Sequence, residues 1–437
     1  MPKDLASWLS YIENLHPKAI AMGLDRANQV IAALKLQPNF KIITVAGTNG
    51  KGSTCAMLEL AYTKAGYKVG CYTSPHLLRY NERVRINCKE ASDAELCAAF
   101  AVIEAARVKA NVALTYFEVG TLAAIWHFMQ AEIEVAVLEV GLGGRLDTVN
   151  AFTPDCAIVT SIDLDHQEYL GDTREKIGAE KAAIFRPKIP AICGDANPPN
   201  SLLEYAKKIE AELFCIHQDF DYAANETGWE YQLNKQSVSY QLPFPALQGA
   251  YQLNNASCAV TAIELLQHAL PVTHNVLAEA LKEVSLAGRF QTISYSPHVI
   301  LDVAHNPHAA IALAKNLKKI KTTNTQVFAV FAMLADKDIK GVVEAVGQQI
   351  DSWYIATIDH TRGAKAADLA KIVLEVNPNA RTQMFDDVTL AYKQAHIQTE
   401  TCMNQGENVK IIVFGSFFTV SAVMQICNNA NNDTAGA

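Results

Sequence analysis

A chain that runs from an apolar stretch into a glycine-rich turn, a lysine, two hydroxyls and a helix has few folds open to it. Residues 42–45 are Ile-Ile-Thr-Val, the turn is Gly47-Thr48-Asn49-Gly50-Lys51-Gly52-Ser53-Thr54, and Cys55-Ala56-Met57-Leu58 follows. The order predicts a βα unit whose turn accepts a polyphosphate. Small residues let backbone N–H groups approach phosphate oxygens, and the helix start adds its positive dipole end. Lys51 supplies a point charge, and Ser53 or Thr54 can reach a magnesium ion. The strict phosphate-loop spacing asks for glycine at 45 and a hydroxyl at 52, where Val45 and Gly52 stand. Glycines alone would fit an ordinary βα connection. The lysine and paired hydroxyls favour the phosphate.

The same rhythm continues along the chain. Strand-like runs fall at 42–45, 69–72, 135–140, 157–160, 299–303, 326–331, 353–357 and 411–414. Helical patterns fill 92–108, 117–130, 201–211, 255–268 and 307–317. Near-continuous apolar strands separated by helices predict α/β domains with mostly parallel sheets covered on both faces. Residues 222–242 alternate instead and read as an antiparallel edge ribbon. With 437 residues, two or three domains are expected. The boundary is placed within 285–296, giving an ATP-binding domain over 1–287, a smaller Rossmann-like domain over 288–428, and a disordered polar tail over 429–437.

Composition removes several function classes. The net charge of −8 argues against a nucleic-acid-binding face. No apolar run approaches the ~20 residues of a membrane span. Ten cysteines occur without a CxxC pair, and no signal peptide is read at the N-terminus. A reduced, cytoplasmic protein is expected, with nothing calling for more than a monomer.

Further polar blocks follow strands. Glu139 sits at the end of the run 135–140, ahead of Gly141, Gly143, Gly144, Arg145 and Asp147. Ligands in open α/β sheets lie beyond the carboxyl ends of strands, so Glu139 reads as a magnesium ligand or as a carboxylate neutralised by a lysine. Asp163, Asp165 and His166 follow the run 157–160, and Thr73, Ser74 and His76 follow 69–72. A lone histidine is as readily a structural hydrogen-bonding group as a ligand. Four such loops at one sheet edge amount to a site. Glu180-Lys181 reads, by composition, as a solvated charge pair on an amphipathic helix. In the second domain Asp302 and His305 follow a strand, with Asn306 as an N-cap and Pro307 in the first helical turn.

Taken together, GTNGKGS (47–53), TSPHL (73–77), TYFE (115–118), LEVGLGGRLD (138–147), DLDH (163–166), EKAAIF (180–185), GRFQ (288–291) and DVAHNPHA (302–309) resemble, in order, the folylpolyglutamate and dihydrofolate synthase family. That family lies within the Mur-type ATP-dependent amide ligases. The likeness runs from Trp8 to Phe417, and is to the bacterial form that often carries both activities. It implies that Gly50, Lys51, Gly52 and Ser53 cradle ATP phosphates, and that Ser74, Glu139 and His166 hold Mg2+ with help from Ser53. It implies that Lys181 is carbamylated, which its local sequence does not reveal. Asn255, Arg289 and Asp302 match positions around ATP on both sides of the linker, and His305 belongs to the same motif. The pteridine-bearing substrate would lie along Thr115, Tyr116, Phe117 and Glu118 and along Leu146, Asp147 and Thr148. Ala21, Met22, Gly23 and Leu24 match a loop linked to dihydropteroate binding. Two departures stand out: Ala21 replaces an aspartate of some bifunctional relatives, and Phe418 replaces a histidine.

The implied reaction is attack of a substrate carboxylate on the γ-phosphorus of ATP, then aminolysis of the acyl phosphate by L-glutamate. Dihydropteroate would give dihydrofolate; reduced folates would gain γ-linked glutamates. Lys51, Glu139, His166, Lys181 and His305 would be the catalytic set, with the second domain closing over the first. A single-activity synthase is one alternative. A peptidoglycan-precursor ligase is another, although only about forty residues precede the phosphate loop where such enzymes carry a UDP-binding segment. A nucleotide-dependent regulatory protein that hydrolyses ATP without ligation is the third.

Overall fold

The opening apolar run becomes β1 (Lys41–Ala46), whose Ile43, Val45 and Ala46 retain no exposed surface. A strand apolar on both faces has to lie inside a sheet covered on both sides, and β1 does. The computed structural model describes residues 2–18 and 20–435. Its larger sheet also contains β2 (Val69–Tyr72), β3 (Val84–Ile86), β4 (Lys89–Glu90), β5 (Val135–Glu139), β6 (Cys156–Val159), β7 (Pro190–Cys193) and β8 (Glu212–Cys215). The strand order is β4-β3-β2-β5-β1-β6-β7-β8. From β2 to β8 all pairings are parallel, while β3 and β4 add an antiparallel edge. Because β5 and β6 flank β1 on opposite sides, the loop leaving β1 opens at the point where the winding reverses. In this class of sheet that is where ligands bind.

Two N-terminal helices, Leu5–Glu13 and Asp25–Leu34, pack against the helices Asp93–Ala110 and Tyr116–Gln130 and add Trp8, Ile12, Ala27 and Val30 to the core. The interval read as an edge ribbon is a sheet of its own. β9 (Phe220–Ala224), β10 (Trp229–Leu233) and β11 (Val238–Leu242) pair antiparallel in the order β11-β10-β9. The alternation explains this: Trp229, Tyr231 and Leu233 are buried while Gln232 faces out. Tyr231 Oη meets Thr261 Oγ1 of the helix Gln252–Leu265 at 2.8 Å, giving the buried face a partner away from the main sheet.

The second sheet has β12 (Gln291–Tyr295), β13 (His298–Leu301), β14 (Thr325–Phe331), β15 (Ser352–Ala356), β16 (Arg381–Phe385) and β17 (Asn408–Phe414), in the order β12-β13-β17-β14-β15-β16. Only β12 runs antiparallel to its neighbour. The chain forms two compact units. One holds the residues up to Ala246 and Leu253–Val284; the other holds Leu247–Gln252 and the chain from Ser285 onward. The early excursion is held within the second unit by Tyr251, whose ring stacks 4.8 Å from that of His308. The last helix, Phe417–Ala435, carries helical backbone into the polar tail expected to be disordered; 436 and 437 lie outside the described residues. No described helix is long and apolar enough to cross a membrane.

In the second unit Phe331, Trp353 and Phe414 interlock, with centroids 5.0–6.2 Å apart. Trp353 is 2% exposed. Replacing it by alanine should cost this unit about 3–5 kcal/mol, measured as a lowered midpoint in chemical denaturation.

Candidate active site

The loop leaving β1 is built to hold its shape without a ligand. Thr48 N–H donates to the Ser161 carbonyl at 2.8 Å, and Thr48 Oγ1 both donates to the Asp163 carbonyl and accepts from Asp163 N–H. Thr160 Oγ1 and Ser161 Oγ donate to the Asn49 carbonyl at 2.7 and 3.0 Å. The phosphate loop is thus stitched to the loop after β6. Gly50, at φ +90°, caps the helix Lys51–Lys64, and a Cβ there would collide with the Asn255 carboxamide. Both the left-handed backbone and this close approach require glycine. They also bring Asn255, distant in sequence, against the loop it was expected to join. Lys51 Nζ folds back to donate to the Gly47 carbonyl at 3.0 Å. Ser53 is buried in the first helical turn.

A neighbouring strand end supplies the carboxylate. β2 and β5 are adjacent, so Ser74, just beyond β2, meets Glu139, the last residue of β5. Ser74 N–H donates to Glu139 Oε2 at 3.1 Å, and Glu139 is 5% exposed. His166 stands at the start of the short helix Gln167–Leu170, with its ring 3.8 Å from Asp165 Oδ2. Among the described residues no three His, Cys, Asp or Glu side chains gather as a metal cluster. One buried carboxylate beside hydroxyl-bearing residues instead fits a hard divalent ion that takes much of its coordination from water and substrate phosphate.

Lys181 corrects its local reading. It lies in the last turn of the helix Arg174–Ala182 and is 4% exposed, not solvated. Burial, reinforced by the positive charge of Lys51, pushes its amine down to about 7; Asp165 and Asp147 pull the other way. The glycine-rich loop after β5 docks on this helix. Gly144 lies so close that a Cβ would sit 2.7 Å from the Glu180 carbonyl, and Arg145 donates to Glu180 Oε1 and the Ala179 carbonyl. Composition could not show this, because the Gly144 backbone that packs on Lys181 lies 37 residues upstream.

The expected substrate segments separate into two kinds. Thr115 and Glu118 form a capping box at the start of the helix Tyr116–Gln130 and are both buried. Asp147 accepts N–H groups of Gly141, Leu142 and Val149, and burial still pushes its carboxyl up to about 6. These three, with buried Thr148, shape the loops, whereas Leu146 is exposed and Tyr116 and Phe117 offer rings. Sequence reasoning missed two arginines. Arg83 Nε donates to His76 Nδ1 at 2.8 Å, and its guanidinium lies over the Tyr80 and Tyr116 rings. Burial and then Arg83 push His76 down to about 4. Arg26 binds Glu118 and also the Ala21 carbonyl, bringing the loop of Ala21, Met22, Gly23 and Leu24 to the Thr115–Glu118 turn. A lone arginine in a polar helix gave no signal.

The second unit gathers its own set. Asp302 Oδ1 accepts from Ala304 N–H and Oδ2 from Phe290 N–H, yet burial pushes its carboxyl up to about 6. Arg289 lies 5.3 Å from the Phe417 ring centroid, and His305 Nδ1–H donates to the Val303 carbonyl. Asn306 is the N-cap of the helix Pro307–Ile320. Phe418, where a histidine was expected, packs 4.9 Å from the His360 ring.

This geometry agrees with what the chain is similar to. The Mur ligase middle domain matches residues 45–263, and the Mur ligase glutamate ligase domain matches 288–416. The dihydrofolate synthase/folylpolyglutamate synthase of Escherichia coli is 43% identical over 97% of this chain and 95% of its own length. That of Haemophilus influenzae is 39% identical over 95% and 96%. The chain belongs to the Mur ligase family. Within it, E. coli FolC in complex with DHPP and ADP superposes with a TM-score of 0.90 at 40% identity, covering 99% of this chain and 100% of that one. A bifunctional folylpolyglutamate synthase/dihydrofolate synthase with Mn, AMPPNP and L-glutamate bound gives 0.87 at 42%, covering 98% of each. As a Mur-type ligase the chain has its phosphate loop, Glu139 and Lys181 in one unit and Arg289, Asp302 and His305 in the other.

Lys181 yields a pH test. Its folded value of about 7 lies below the ~10.4 of an unfolded lysine, so between these values the unfolded chain binds the extra proton. Its contribution to stability therefore rises with pH across that window and is least favourable below pH 7. Urea denaturation at pH 7 and 9 in CO2-free buffer should show this rise in wild type, and a smaller rise in Lys181→Met.

Proposed function

We propose that this chain uses ATP to join the amino group of L-glutamate to the carboxylate of dihydropteroate, giving dihydrofolate, and to the glutamate tail of reduced folates. End-to-end likeness to dihydrofolate synthase/folylpolyglutamate synthases carries this reading, since it spans both units. The DHPP, ADP, Mn, AMPPNP and L-glutamate in solved relatives support the choice of substrates and of a divalent ion.

The substrate carboxylate attacks the γ-phosphorus, ADP leaves, and the glutamate amine displaces phosphate from the acyl phosphate. Lys51 and the N–H groups of residues 50–53 face the transferring phosphoryl group and neutralise its charge. Ser74, Glu139 and His166, with Ser53, would hold Mg2+, which when bound draws charge from the phosphate oxygens. Lys181, held to about 7, loses its ammonium proton near neutrality, and the neutral amine is the form that adds CO2: the N–C bond forms, one C=O electron pair moves onto oxygen, the nitrogen sheds a proton, and a neutral amine beside Lys51 becomes an anionic carbamate. Tyr116, Phe117 and Leu146 offer the surface for a flat heterocycle. Within the second unit, Arg289, Asp302 and His305 are the residues proposed to meet ATP. The ten cysteines, all free, support a reducing cytoplasm, with the chain working as a monomer.

Lys51→Ala and Glu139→Ala should each abolish ADP release that depends on both a pterin carboxylate and glutamate, followed by a coupled ADP assay. Undiminished turnover in either variant would sink the site assignment. ADP formation with neither substrate present would sink the ligase reading.

A further inference from the structure

Arg26 is one side chain joining two separate segments. Its Nε lies 3.2 and 3.3 Å from the two carboxylate oxygens of Glu118, and its Nη2 lies 3.0 Å from Glu118 Oε1. The same Nη2 donates to the Ala21 carbonyl at 2.6 Å. The Glu118 side chain is 3% exposed and also accepts Thr115 N–H at 2.7 Å. The guanidinium therefore neutralises a buried carboxylate at a helix start and, from the same fork, fixes the main chain five residues before it. The tethered loop reaches further, because the Met22 methyl lies beside Gly143 in the glycine-rich loop after β5.

We infer that Arg26 is a positioning residue for the pterin-bearing substrate. It holds the loop of residues 21–24 in register with Tyr116 and Phe117, so that the surface receiving the heterocycle is set before the ligand arrives. This rests on the functional reading above, in which those segments take the pterin. Preorganisation of a binding loop lowers the ordering cost paid on binding, so its loss should fall on pterin affinity and leave the phosphate chemistry alone.

The informative variant is Arg26→Lys. An ammonium keeps the charge opposite Glu118, but as a compact point donor it loses the planar fork that serves carboxylate and carbonyl together. The expected result is a KM for dihydropteroate raised about tenfold, with kcat and the KM for ATP within about twofold of wild type. Chymotryptic cleavage after Met22 or Leu24 should be faster in the unliganded variant, at an unchanged Tm. Arg26→Ala, which strands the buried Glu118, should instead lower the Tm; pairing it with Glu118→Gln should recover much of that loss without recovering the pterin KM. An unchanged pterin KM in Arg26→Lys would overturn the inference, as would an equal rise in both KM values. Wild-type protein lacking pterin-dependent turnover would overturn the functional reading and the substrate role together. The cleavage rate would still report whether Arg26 orders the loop.

Discussion

The stitching of the phosphate loop to the loop after β6 is the constraint on which the rest of the first unit's site depends. A polyphosphate-binding turn must present several N–H groups outward at once, so its carbonyls and hydroxyls need partners elsewhere. Here Thr160, Ser161 and Asp163 provide them, by taking up the Asn49 carbonyl and both faces of the Thr48 hydroxyl. That arrangement exists only because β6 lies directly against β1. The opposite neighbour, β5, delivers Glu139, and β2 beyond it delivers Ser74. Strand order thus collects the chemistry, and side-chain hydrogen bonds fix it.

The electrostatics follow from the same packing. Burial, and then the charge of Lys51, lower the Lys181 amine to about 7, so that it sheds its proton near neutrality. Asp147 and Asp302 are each pushed up to about 6 by burial although backbone N–H groups hold them. Groups poised this way respond strongly to a change in neighbouring charge. Desolvation, more than any single ion pair, sets these values.

Much of the fold was legible. Eight apolar runs became strands close to their expected positions, since a strand covered on both faces must be apolar throughout. The alternating interval 222–242 was also read as antiparallel, but its attachment was missed: alternation says that one face is buried, not against what. The placement of the candidate residues was legible wherever a polar block directly follows a strand, as with Lys51, Ser74, Glu139 and His166. It was not legible for Lys181 and Arg26, which sit on helices where a charged residue is ordinarily solvated. Their surroundings come from distant segments, the loop of Gly144 and Arg145 in one case and Glu118 and the Ala21 carbonyl in the other.

By itself, the sequence determined the α/β class, the phosphate loop and the ordered motifs that mark the family, because apolar periodicity and turn chemistry are local properties of the chain. Tertiary structure alone decided that the Asp147 carboxylate holds its own glycine-rich loop, while Glu139 reaches across to the neighbouring strand end at Ser74. It also decided that a lysine in a charged helix is buried and pushed down to about 7, and that one guanidinium ties two distant segments together. Burial and long-range pairing depend on residues tens to a hundred positions away, and no local pattern records them.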